Sequence, residues 1–185
     1  MNPTSRILIA GIGNIFCGDD GFGVELAQRL LARPWPDGVR IVDFGIRGLD
    51  LTYALLDGYD AAILLDAAPT GQSLGTVSVI QPQLDTPSVA APEDVMIDPH
   101  NLDSARVLRV VRQLGGHWGQ VFLVACEPVQ IGDDADVLMG LSPPVQAALD
   151  QGVALVESLV GRLVNEQHQA TVLHETWLRR PRAGG

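Results

Sequence analysis

Arg6-Ile-Leu-Ile-Ala-Gly-Ile-Gly-Asn-Ile-Phe-Cys-Gly-Asp-Asp-Gly-Phe-Gly23 is the stretch on which the rest of the chain depends. Its first part, Arg6 to Ile12, is an apolar run with β-branched residues, the pattern of a strand buried on both faces. Gly11 and Gly13 permit a tight turn, and Asp19 and Asp20 follow it. Gly21 to Arg33 then places Val24, Ala27, Leu30 and Leu31 on one helical stripe, until Pro34 and Pro36 stop the helix. Two carboxylates thus stand between the carboxyl end of a strand and the start of a helix, where open α/β sheets build their sites. Asp19 alone is accounted for as an acid that caps the helix and complements its dipole.

A dinucleotide-binding turn is a poor fit to this stretch. Phe16 holds the place of the third glycine, and the acids sit where a pyrophosphate needs backbone amides without anionic neighbours. Further on, Val39–Phe44 is a second strand, Leu49–Leu56 a short helix, and Ala61–Leu65 a third buried strand that ends at Asp66. Strand and helix in alternation predict a parallel sheet with right-handed crossovers. Gly75–Gln81 is a further strand whose short link leaves no room for a helix, so an antiparallel placement is expected. Pro82–Pro99, rich in proline and acids, is expected to be a long surface loop. Asn101–Leu114 is a helix with Leu102, Ala105, Leu108, Val111 and Leu114 inward, and Gln120–Cys126 is the last buried strand. Glu127–Leu141 is an acidic loop, and Ser142 caps a long helix with Pro143 in its first turn. Val145, Leu149, Val153, Val156, Val160 and Leu163 line its core face. The pattern fades after this, so residues 1–164 are expected to form one α/β domain and 165–185 a flexible tail carrying His168 and His174.

The 185 residues suffice for one domain with a sizeable core, and 46% hydrophobic content marks a globular chain. A net charge of -10 argues against nucleic acid, because no basic face is left to displace counterions. All the basic residues are arginines, so Schiff-base or lysine-nucleophile chemistry is excluded. Two cysteines make neither a disulfide scaffold nor a zinc ribbon. The first residues are too few for a signal peptide and no run is apolar enough to span a bilayer; a soluble, cytoplasmic protein is expected.

The chemistry-bearing residues gather at one end of this architecture. Asp20 follows the first strand, Asp66 ends the third, and His100 opens a helix after Asp98-Pro99. With the second strand outside the first, the first and third strands are neighbours and their carboxyl ends flank the crossover crevice. Two carboxylates and an imidazole form a metal-ligand set with open positions, suited to Zn, Ni or Fe(II), and the paired acids can also activate water. Each has an ordinary alternative: Asp66 as a turn residue, His100 as a helix cap or surface histidine. Cys17 and Cys126 are expected to be inert buried thiols, His117 structural, and Glu127 either a cleft residue or a turn cap. No Gly-x-Ser-x-Gly elbow occurs, which counts against a hydrolase triad of that kind.

Gly11-Ile-Gly-Asn-Ile-Phe-Cys-Gly-Asp-Asp-Gly-Phe-Gly23 resembles the opening motif of the nickel–iron hydrogenase maturation endopeptidases. The resemblance continues in order through Asp43-Phe-Gly-Ile-Arg-Gly48, Leu64-Leu-Asp-Ala-Ala68, Asp98-Pro-His-Asn-Leu102 and Gly140-Leu-Ser-Pro-Pro-Val145, and covers about residues 6–164. It implies a three-layer α/β/α fold with a mostly parallel sheet of about five strands and an antiparallel edge strand. It also implies removal of a C-terminal extension from the large-subunit precursor after nickel insertion, by an aspartic-type or metal-assisted mechanism. By position, the family's metal-contacting and catalytic residues fall on Asp20, Asp66 and His100, and its substrate-positioning segment on Asp43 and Gly45. Nickel would arrive with the precursor, and Zn or another divalent ion could fill the site in isolation. Asp20 stands where some members have Glu, and Ile46 where many have Thr. The partner implied is the large-subunit precursor, and a monomer is the simplest expectation for a chain that docks on it. Two other classes stand beside this reading: a nickel-binding chaperone or checkpoint module that cuts nothing, and a small nucleotide-binding enzyme.

Overall fold

The structure, a computed structural model, describes residues 6–82, 104–116, 119–132 and 137–178. Five strands form one sheet: β1 (Ile7–Ile12), β2 (Val39–Gly45), β3 (Ala61–Ala67), β4 (Val77–Ile80) and β5 (Gln120–Cys126). Among the described residues four α-helices accompany them: α1 (Phe22–Leu31), α2 (Gly48–Leu56), α3 (Ser104–Gln113) and α4 (Pro143–Leu178). A single 3-10 turn, Asp19–Gly21, leads into α1. The sheet order is β2-β1-β3-β5-β4, with β1, β2, β3 and β5 parallel and β4 antiparallel to β5. The expected neighbourhood of the first and third strands is therefore present, and the short link Ala68–Thr76 does lead to an antiparallel edge strand.

Strand alternation divides the core into two layers. Ile7 and Ile9 of β1 and Ile63 and Leu65 of β3 pack with Phe22, Leu26 and Leu30 of α1 and with Val145, Leu149, Val153 and Val156 of α4. Leu8 and Ala10 of β1 and Ala62 and Leu64 of β3 face the other way, onto Leu51 and Leu55 of α2 and Val107, Leu108 and Val111 of α3. Helices cover both faces, which is why β1, and β3 from Ala61 to Leu65, carry no alternating polar residues.

Three expectations need correction. Leu31, read as part of the α1 stripe, is exposed although Leu30 beside it is fully buried, so it lies off the buried face; Leu114, which follows the end of α3, is exposed too. Leu26 and Phe22 are fully buried instead and complete the α1 face. The last helix does not stop near residue 164 but continues to Leu178, so residues 165–178 are helical and His168 lies on α4. Residues 165, 166 and 168–170 are exposed, and good helix formers with an Arg162–Glu166 pair at 3.9 Å extend the helix without a core to face. The hydrophobic pattern therefore marks where α4 leaves the sheet, not where it ends. Of the expected loop Pro82–Pro99, residues 83–99 lie outside the described residues, as do Leu102 and His117.

Candidate functional site

The carboxyl ends of β1 and β3 are held apart by very little. Gly23, in the first turn of α1, sits where any Cβ would overlap both Ile12 O and Leu65 O. At Gly11 a Cβ would come within 2.6 Å of both Ala27 Cβ and Gly23 O. Gly13 has φ +123 and lies against Asp20 O. These glycines let α1 and its 3-10 turn descend onto the strand ends, so that the turn packs on β3. Asp20 and Asp66 are thereby brought to the same edge of two adjacent strands. Asp66 is nearly buried at the end of β3 and lies, by alternation with Ala62 and Leu64, on the α2–α3 side of the sheet.

Asp20 is half-buried, and its Oδ2 accepts the Asn14 N–H at 2.5 Å. Burial pushes its carboxyl above the ordinary carboxylate range, and the Asn14 hydrogen bond only partly opposes this. Among the described residues no three His, Cys, Asp or Glu side chains form a metal-holding group. His100 lies outside the described residues. The helix after it in sequence, α3, is described from Ser104 and starts at the carboxyl edge of the sheet, because its other end leads through Gly119, bonded to Tyr59 O, into the first residue of β5.

Asp43 and Gly45 border the same edge on the far side of β1. Asp43 pairs with Gly11, and a bulge follows, so that Gly45 rather than Phe44 pairs with Ile12. Gly45, at φ +55, offers its carbonyl to Gly13 N at 3.1 Å. The Asp43 carboxylate faces α1, where Gln28 Nε2 donates to it at 3.0 Å. Arg47 folds back on the segment, donating to Phe44 O at 3.1 Å and to Asp43 O.

Asp19 is the residue that the sequence pattern undervalued. It is not a helix cap at the surface. It is wholly buried, and its carboxylate accepts Val129 N (2.8 Å), Gln130 N (3.2 Å), Ser142 N (2.6 Å) and the Ser142 hydroxyl (2.9 Å). Burial works against its charge, but these hydrogen bonds prevail and hold its carboxyl below the ordinary range. Ser142 accordingly spends its hydroxyl on Asp19, while its carbonyl receives Gln146 N at 2.8 Å as α4 begins. The sequence signal was present in the Asp19-Asp20 pair, but its partners are more than a hundred residues away.

Glu127 resolves as a turn cap. It accepts Thr70 Oγ1 (2.7 Å), Thr70 N (2.6 Å) and Gln72 N (3.1 Å), and these bonds, the Thr70 hydroxyl foremost, lower its carboxyl. Cys126 is fully buried, and burial, with Asp19 and Glu127 nearby, pushes its thiol up to about 12. Cys17 is also buried.

This glycine-rich turn between adjacent parallel strands, with one carboxylate at each strand end, has clear relatives. The family model described as hydrogenase maturation protease matches residues 24–159. The chain belongs to that family, and so to the protease hydrolases. It is 30% identical over 153 residues to the hydrogenase 2 maturation protease of Escherichia coli K12, covering 82% of this chain and 88% of the other. It is 31% identical over 151 residues to the hydrogenase expression/formation protein HupM of Azotobacter chroococcum, covering 81% and 69%. In structure it matches the hydrogenase maturating endopeptidase HybD from E. coli with a TM-score of 0.67 at 28% identity, over 85% of this chain and 93% of that one. No described helix is long and apolar enough to cross a membrane.

Proposed function

We propose that this protein is the endopeptidase that removes the C-terminal extension of a nickel–iron hydrogenase large-subunit precursor once nickel has been inserted. Family membership supports the protease class. The observation that carries the finer reading is the pair Asp20 and Asp66 at the ends of neighbouring strands, with the helix that follows His100 starting at the same edge.

Nickel enters this reading as part of the substrate. Asp20, Asp66 and His100 contact the precursor's metal and so distinguish a loaded precursor from an empty one. Oxygen and nitrogen donors suit that ion. Burial raises the Asp20 carboxyl above the ordinary range in the free protein, and a cation at the site acts in the opposite direction. Hydrolysis then requires a water on the scissile carbonyl, and the paired carboxylates are the groups assigned to take its proton and return one to the leaving amine. Asp43 and Gly45 guide the substrate backbone along the β2 side of the crevice.

The test is mass spectrometry of the precursor, with and without nickel, after incubation with the protein. Loss of a C-terminal peptide only from the loaded form is the expected result. Cleavage regardless of nickel would discard the metal checkpoint, and binding of a loaded precursor without cleavage would discard the protease in favour of a chaperone.

A further inference from the structure

The segment Phe16–Gly18, just before the turn that carries Asp20, is the middle strand of a small ladder outside the main sheet. Gly18 bridges Ile131 antiparallel, and Cys17 bridges Leu138 in parallel. Leu138 N donates to Phe16 O (2.9 Å), Gly18 N to Leu138 O (2.8 Å) and Gly132 N to Cys17 O (3.1 Å). Alternation across these bridges puts Cys17 and Leu138 on the inner face and Phe16, Ile131, Val137 and Met139 on the outer one. Exposure agrees: Cys17 is 8% exposed, whereas Phe16 is 52%, Val137 66% and Met139 71% exposed. Large apolar side chains grouped at one site and left in water mark an interaction surface.

Among the described residues the backbone of this surface is open as well. Both main-chain groups of Leu138 point at Phe16–Gly18, so those of Val137 and Met139 point away from it. Neither residue has a hydrogen-bond partner among the described residues. An unpaired edge flanked by apolar side chains recognises an extended chain, which supplies main-chain bonds to the edge and side chains to the pockets beside it. The net charge of -10 favours a segment that is neutral or basic. Asp19 fixes the register, because its bonds to Val129, Gln130 and Ser142 hold both flanks of the ladder against the Asp20 turn.

We infer that the Val137–Met139 edge, with Phe16 beside it, takes an extended segment of the protein substrate as an added strand and leads it to the Asp20 turn. This rests on the reading of the protein as a precursor-cleaving endopeptidase. The test compares wild type with Val137→Asp/Met139→Asp and with Met139→Pro, which deletes an outward N–H, using the nickel-loaded precursor. Leu114→Asp, an exposed apolar position beyond α3, serves as control. KM for the precursor should rise at least about tenfold in both edge variants with kcat nearly kept, and neither value should move in the control. Circular dichroism should show an unchanged fold. Edge variants with wild-type KM would overturn the docking edge while leaving the protease intact. A wild-type dimer that both edge variants dissolve would overturn it in favour of self-association. A wild type that neither binds nor cuts a cognate precursor would overturn the protease reading and this inference with it.

Discussion

The Asp19 carboxylate accepts both the backbone N–H and the hydroxyl of Ser142, a residue 123 positions away, at 2.6 and 2.9 Å. One buried acid therefore ties the first turn of the chain to the start of its last helix. Asp19→Ala should destabilise the protein by about 3 kcal/mol, because three N–H donors lose a charged acceptor together. Asp19→Asn should recover little, since its amide would turn N–H against N–H. Urea denaturation with circular dichroism detection reads both.

The neighbouring acids should respond to pH with opposite sign. Asp19 has a folded value held below the ordinary 3.8, so its contribution is complete above 3.8 and is lost as pH falls through the depressed value. Asp20 is raised above 3.8 by burial, so the folded state gains from its protonation below 3.8 and loses that gain as pH rises through the raised value. Asp20→Asn should consequently be more stable than wild type at neutral pH, with the advantage vanishing below 3.8. Denaturation midpoints across acidic pH measure the two curves.

Gly23→Ala tests the close approach that forms the crevice. Its methyl would overlap carbonyl oxygens of both β1 and β3, which cannot move without breaking the sheet. A loss of about 3 kcal/mol or more is expected from overpacking against backbone. Thermal unfolding shows the loss, and cleavage should fall even in samples that remain folded.

Cys126 should be silent towards alkylation. It is fully buried with its thiol pushed up to about 12. Iodoacetamide should add to it only on unfolding, as intact-mass analysis in native buffer and in urea would show. Labelling of Cys126 in the native state would contradict its place in the core.

Asp66→Asn should leave the fold intact and reduce precursor cleavage at least about a hundredfold, the size expected for a positioned acid–base group. Mass spectrometry of the precursor over time gives the rate. A variant cutting at the wild-type rate would remove Asp66 from the chemistry.

Much of this was readable along the chain because it is local. The apolar runs of β1, β3 and β5 announced a sheet covered on both faces, and Val145 to Leu163 announced the core face of α4, since each pattern follows the period of its own element. The acidic strand ends at Asp20 and Asp66 followed from the same strand assignments. What escaped depended on distant partners. Asp19 has the same neighbours in sequence whether it caps a helix or anchors a loop. Leu31 and Leu114 keep the helical spacing, but Leu31 lies off the buried face of α1 and Leu114 beyond the end of α3.

The sequence by itself determined the alternation of strands and helices, the two acids at strand ends, and membership of an ordered set of motifs, because backbone periodicity and turn chemistry act over a few residues. Only the tertiary structure decided which acid is which. Asp19 and Asp20 are adjacent and chemically identical. One is surrounded by N–H donors brought from the loop before α4 and is held ionised, while the other is half-buried with a single donor and holds its proton more tightly. That difference arises from solvent exclusion and hydrogen bonds across the fold, and no local pattern encodes it.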